Sequence, residues 1–165
     1  MQASIPARPP APAGLRIGHV HLRVSSLERA ISFYKDVLGL DLVQRYGPGA
    51  AFLSAGGYHH HIGLNTWESL GGTPPPMGHT GLYHTAFVYP ERADLGAALR
   101  RLDAAGIRLS GAADHGVSEA LYLDDPDMNG VELYWDRPRE MWPVNAEGQL
   151  EMTNRRLDLA ALRAA

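Results

Sequence analysis

The sequence predicts an α+β fold in which two βαβββ modules pack as one open, curved mixed sheet. Three observations lead there. The alternating stretch His19-Val20-His21-Leu22-Arg23-Val24 has a counterpart in His84-Thr85-Ala86-Phe87-Val88-Tyr89, about 65 residues on, and period-two alternation is the mark of a half-buried strand. Each stretch is followed by apolar residues at helical spacing and then by a glycine, Gly39 or Gly106, where a helix C-terminus belongs. Finally, the chain has 165 residues, so either half alone is too short to bury a good core and the halves must pack together.

The elements follow in order. Residues 1–13 are rich in Pro and Ala without apolar periodicity, which predicts a flexible arm. After the first strand, Ser25 and Glu28 form a capping box, and Leu27, Ala30, Ile31, Tyr34 and Leu38 supply the helical stripe. Strand-like runs follow at Leu40–Gln44, Ala50–Leu53 and His59–Asn65 between Gly/Pro turns. Module one spans about residues 14–66. A Gly/Pro-rich linker then leads to module two, about 80–138. There Leu95, Ala98, Leu99 and Leu102 give the helix, and Ile107–Leu109, Glu119–Leu123 and Val131–Trp135 give three strands. The last two strands are joined by a turn of Asp, Pro, Asn and Gly. Together the modules form a domain over 14–142, and the tail 143–165 carries a short helix at Arg156–Arg163.

Composition removes several classes of function. Cysteine is absent, so thiolate nucleophiles, disulfides, zinc–cysteine sites and iron–sulfur clusters are excluded. Lys plus Arg is 15 against 18 Asp plus Glu, a net charge of −3, which gives no reason to expect nucleic acid or an anionic membrane as partner. The apolar runs fall short of a membrane span, and residues 1–14 lack the apolar core of a signal peptide. The expectation is a soluble cytoplasmic protein. The eight histidines are the compositional oddity.

His19 and His84 open the two repeats, and Glu132 lies in the final strand. If symmetry sets the opening strands side by side, these residues share one face, with His21 on the same side as His19 and Tyr122 on the same side as Glu132. Two imidazoles and a carboxylate on a common face make a facial triad with open positions for Fe(II). A lone strand histidine is equally a hydrogen-bonded or exposed residue, however, and an exposed face would account for Glu132. Spacing alone leaves both readings open. The triplet His59-His60-His61 could be a polar rim, and Trp67, Trp135 and Trp142 could line a pocket or pack structurally.

The segment IGHVHLRVSSLERAISFYKDVLGLDL resembles the opening module of the vicinal oxygen chelate superfamily. GYHHHIGLNTW and DHGVSEALYLDDPDMNGVELYWDRP are similar to its bacterial extradiol catechol 2,3-dioxygenase branch. The resemblance covers about residues 14–142. It implies modules curved around a metal site, with His19, His84 and Glu132 as ligands of Fe(II), Mn(II) being the alternative ion. It further implies Tyr122 as the phenol that hydrogen-bonds substrate oxygens, His115 as the histidine behind that tyrosine, and His60 as acid–base partner to oxygen. Strand alternation puts His60 and His61 on opposite faces, so parity leaves the choice between them open.

The implied activity is ring cleavage of a catechol-like aromatic diol with O2. The chain departs from many extradiol enzymes in having one pair of modules rather than two. Its site therefore forms either within one chain or across a homodimer. Two alternatives compete: a glyoxalase I-like metal-dependent isomerase or lyase, in which His61 would stand near the fourth ligand position, and a metal-free binding protein of the antibiotic-sequestering kind.

Overall fold

Burial alternates along Val20–Arg23 (β1): Leu22 points into the core while His21 and Arg23 face outward. The computed structural model describes residues 10–165, so the first nine residues of the expected arm lie outside the described residues. The helix Leu27–Ser32 (α1) is capped by Ser26, whose Oγ accepts from the Arg29 N–H. Ser25, the expected cap, instead sends its hydroxyl to Asp127. Leu27, Ala30 and Ile31 face inward, and the chain then takes a π-helical turn over Phe33–Val37 that buries the adjacent Phe33 and Tyr34. Such a turn inserts one residue into the helical ladder. Gly39, at φ 84°, ends it as the sequence predicted.

Asp41–Tyr46 (β2), Ala50–Ser54 (β3) and Ile62–Asn65 (β4) complete the first sheet, in the order β1-β4-β3-β2 with β1 parallel to β4. The second unit repeats it. Thr85–Tyr89 (β5), Arg92–Ala104 (α2), Gly111–Asp114 (β6), Ser118–Asp124 (β7) and Gly130–Asp136 (β8) give the order β5-β8-β7-β6, with β5 parallel to β8. Arg155–Arg156 (β9) extends this sheet at β6, and Leu159–Arg163 (α3) follows. The α+β class and the internal repeat agree with the sequence reading.

Three expectations need correction. The strand expected at Ile107–Leu109 begins later, at Gly111, because pairing starts where Gly111 meets Tyr122; Ile107 and Leu109 pack against the core instead. The tail helix starts at Leu159 rather than Arg156, because Asp158 caps the N–H groups of Ala160 and Ala161 at 3.0 Å while Arg155 and Arg156 pair with β6. Most consequentially, the opening strands do not pair with each other. Two open mixed sheets form, of four and five strands, and among the described residues β1 and β5 are edge strands.

The core and a polar knot join the units, and Arg101 of α2 also donates to the Leu38 carbonyl at 3.4 Å. Leu22, Leu53 and Leu64 from the first sheet belong to the same buried cluster as Leu99, Leu121 and Leu133 from the second unit. The buried Tyr34 hydroxyl donates to Asp125 Oδ2 at 3.1 Å, and Arg29 donates to Asp127 at 2.7 Å. Asp125 also receives the Asp127 and Asn129 N–H groups at 2.8 Å. The β7–β8 turn is thus locked into shape while it anchors α1. No helix among the described residues is long and apolar enough to cross a membrane.

Candidate active site

The register of β7 on β8 places Tyr122 directly opposite Glu132, and Ala86 of β5 lies opposite Glu132 on the other side. Residues two apart share a face, so His84, just ahead of β5, rises on the Ala86 side and meets the carboxylate. Its Nε2 is 2.9 Å from Glu132 Oε2. Gly130 permits this approach: a Cβ there would run into the Tyr83 carbonyl and stand 3.1 Å from His84 Cβ. The opposite faces of these strands, Leu121, Leu123, Val131 and Leu133, are buried. The alternation predicted for the hairpin therefore holds.

The line continues beyond Glu132. Tyr122 Oη lies 2.9 Å from Glu132 Oε1 and 2.7 Å from His115 Nε2. A phenol has one proton and so can donate to only one of these partners at a time. Burial, reinforced by the neighbouring Glu132 carboxylate, pushes the Tyr122 phenol well above its usual range. It stays a donor at any ordinary pH. Glu132 is mostly shielded, with its side chain 14% exposed, against 32% for His84.

Module one holds a second group. The His19 and His60 ring centroids are 4.4 Å apart, and Phe52 lies 4.9 Å from His60. His21 sits 6.0 Å from Phe52 and 5.7 Å from Trp67. Across the sheet, Phe52, Gly63 and His21 form one row. Glycine in the middle leaves room for the ring, since a Cβ there would stand 2.9 Å from His21 Cγ. Burial, with His19 as the next cause, pushes the His21 imidazole below its usual value. The same order of causes, followed by the other nearby histidines, lowers His60.

Residues 58–61 are a loop before β4, not part of a strand, so alternation does not govern them. His60 turns to His19, whereas His61 Nδ1 lies 2.9 Å from Ser54 Oγ and its ring stacks near Tyr58. His59 pairs with His60 through their Nδ1 atoms at 2.9 Å. The tryptophans divide as well. Trp67 is 63% exposed beside His21. Trp135 packs against the core, and Trp142 donates to the Arg137 carbonyl.

His84 and Glu132 are therefore brought together, with Tyr122 and His115 behind them. His19 and His60 are brought together elsewhere. Among the described residues no three His, Asp or Glu side chains gather as a metal-holding group, so the three expected ligands are split two and one. The converging imidazole and carboxylate of His84 and Glu132 are nonetheless a donor pair suited to a divalent ion of the iron or manganese type.

A sequence profile described as the Glyoxalase/Bleomycin resistance protein/Dioxygenase superfamily matches residues 16–133. The chain belongs to that superfamily. Within it, the chain is 42% identical over 146 residues to a catechol-2,3-dioxygenase of Bacillus subtilis (strain 168), covering 88% of this chain and 50% of the relative. It is 37% identical over 122 residues to biphenyl-2,3-diol 1,2-dioxygenase 3 of Rhodococcus globerulus, covering 73% and 63%. A lactoylglutathione lyase of Neisseria meningitidis is 26% identical over 123 residues, covering 72% and 89%. The chain thus spans only 50% and 63% of the lengths of these two dioxygenases. The fold is also that of a glyoxalase/dioxygenase from Nostoc punctiforme, at a TM-score of 0.63 and 20% identity over 80% of this chain and 99% of that one.

What sequence reasoning missed is the backing of His115. Its Nδ1 lies 3.0 Å from the carbonyl of Thr153, in the C-terminal tail. No side-chain pattern announces a main-chain acceptor.

Proposed function

We propose that this superfamily member is an extradiol ring-cleaving dioxygenase that uses Fe(II) and O2 to open a catechol-like aromatic diol. The observation that carries the reading is the line His84–Glu132–Tyr122–His115 on one sheet face, in a chain similar to diol dioxygenases. His84 and Glu132 would hold the ion with His19 as third ligand, a donor set that Mn(II) also accepts. When bound, the metal supplies a chelation point for two adjacent diol oxygens, open positions for O2 and an easier loss of the diol proton. Tyr122 donates a hydrogen bond where negative charge builds on a substrate oxygen. His60, beside His19, takes up the diol proton and returns one. We place this chemistry in the cytoplasm.

The same reading makes the active form a homodimer. His19 does not join His84 and Glu132 within one chain, and His19 and His84 each stand just ahead of a free strand edge, β1 and β5. A second copy laid with its β1 along β5 would bring the partner's His19 to His84 and Glu132. Two-fold symmetry then makes two such sites. The free edges are themselves unpaired hydrogen-bonding rows that a neighbouring strand would satisfy.

A lyase of the lactoylglutathione type is the second reading, favoured by the coverage of nearly the whole length of such an enzyme. Against it, His61 is occupied by Ser54 rather than turned toward His19. The deciding experiment is anaerobic purification, reconstitution with Fe(II), and metal analysis followed by oxygen uptake with a panel of catechols and by hemithioacetal turnover. One iron per chain with a ring-opened product is expected. Hemithioacetal turnover without oxygen uptake would replace the first reading by the second, and a chain that binds small aromatics but no metal would overturn both.

A further inference from the structure

The segment after β8 folds partly on itself and is anchored to the body through the Arg137 N–H, which donates to the Val117 carbonyl, and through β9 and α3. Trp142 donates to the Arg137 carbonyl at 2.7 Å, Val144 bridges to Leu150, and β9 pairs with β6. Leu157 and Leu162 enter the core, and Arg163 pairs with Asp103 at 2.7 Å. Between these anchors the segment passes His115, which occupies the turn between β6 and β7. Thr153 brackets that residue. Its N–H donates to the His115 carbonyl at 2.8 Å, and its own carbonyl lies 3.0 Å from His115 Nδ1.

A carbonyl can only accept, so the proton in the second bond belongs to Nδ1. In the neutral ring Nε2 is then a bare acceptor, and it faces Tyr122 Oη at 2.7 Å. The fit of tail to turn is close. Gly116, at φ 76°, has room for no side chain, because a Cβ would stand 2.9 Å from Pro143 Cγ and 3.2 Å from Thr153 Oγ1.

We propose that the C-terminal segment is a positioning element of the site: the Thr153 main-chain carbonyl fixes His115 as the Nδ1-protonated tautomer and so aims Nε2 at Tyr122. The phenol then has a second acceptor ready whenever Glu132 is engaged elsewhere. The tautomer needs no assumption about activity. Its catalytic use rests on the dioxygenase reading.

The test is the nitrogen-15 spectrum of the His115 ring in the full-length chain, at a pH where the ring is neutral. Wild-type protein should carry the proton on Nδ1. Thr153→Pro removes the N–H that donates to His115 and should convert the ring to a mixture of tautomers, and Gly116→Ala, which pushes Pro143 and Thr153 off the turn, should do the same. Glu147→Ala, an exposed change elsewhere in the tail, should have no effect. In Fe(II)-loaded protein Thr153→Pro should lower kcat for a catechol by about tenfold or more with little change in KM. A wild-type ring protonated on Nε2 overturns the proposal whether or not the variants fold. So does an unchanged tautomer in both folded variants. Should wild-type protein turn over no catechol while the tautomer behaves as stated, the dioxygenase reading fails and the positioning stands.

Discussion

The two modules repeat one topology yet hold their polar residues by different forces. In module two His84, Glu132, Tyr122 and His115 are joined by contacts of 2.9, 2.9 and 2.7 Å, with the Thr153 carbonyl closing the line. In module one His19, His60, Phe52, His21 and Trp67 meet as rings at centroid separations of 4.4–6.0 Å. Directional hydrogen bonds fix a side chain to one geometry, while ring contacts of this kind tolerate sliding and tilt. The half whose site residues are joined in one run of directional hydrogen bonds carries the carboxylate, while in the other half ring contacts dominate and the hydrogen bonds lie at the margin, His60 to His59 and His61 to Ser54 at 2.9 Å.

That contrast predicts a graded series. Glu132→Ala removes the centre of the hydrogen-bonded line and is expected to abolish metal retention and turnover while the circular dichroism spectrum stays native. Full metal occupancy in this variant would break the ligand assignment. Tyr122→Phe and His60→Phe should both keep the metal and slow turnover, by about 100-fold in each case. They should differ in order: without the phenol, Glu132 and His115 lose a shared neighbour, so metal affinity also falls modestly in Tyr122→Phe, whereas His60→Phe preserves a ring against His19 and leaves affinity alone. Equal affinities in the two variants would erase the distinction between the modules.

Mixing chains tests whether the halves come from different copies. His19→Ala and Glu132→Ala proteins, each inactive, should regain about a quarter of wild-type activity after unfolding and refolding together. Half of random dimers are mixed, and each mixed dimer has one intact site out of two. No recovery would put the site inside one chain. The smallest effect concerns stability. Burial alone would push the Asp114 carboxyl up, but the Gly116 N–H and the Arg137 guanidinium outweigh it and hold it below its usual value of 3.8. A carboxylate lowered on folding contributes stability that is full above the unfolded pKa and is lost as pH falls through the folded one. Asp114→Asn should therefore lower the urea midpoint slightly at neutral pH and flatten its decline below about pH 4, as followed by fluorescence.

Much of module two was legible because its signals are local. The sequence Asp125-Pro126-Asp127-Met128-Asn129-Gly130 turns the chain, and the turn fixes the register that sets Tyr122 against Glu132. The repeat was legible from paired alternation and paired helix-ending glycines. Other features were hidden for identifiable reasons. β6 reads Gly111-Ala112-Ala113-Asp114, with little strand propensity of its own, and is recruited by pairing with β7 and β9. The more strand-like Ile107–Leu109 drew the expectation instead. Alternation was applied across His59–His61, where a loop breaks the period. The separation of β1 from β5 depends on how whole units dock, through Tyr34, Arg29 and the β7–β8 turn, and no window of sequence encodes that.

The free edges of β1 and β5 also bear on abundance. If the site closes only against a second copy, catalytic capacity follows mass action: specific activity should fall on dilution, and it should return on concentration. The same edges that leave a lone chain idle would also leave it open to mispairing. A cell making little of this protein would gain neither turnover nor a well-behaved monomer, so the level of expression itself would act as the threshold for function.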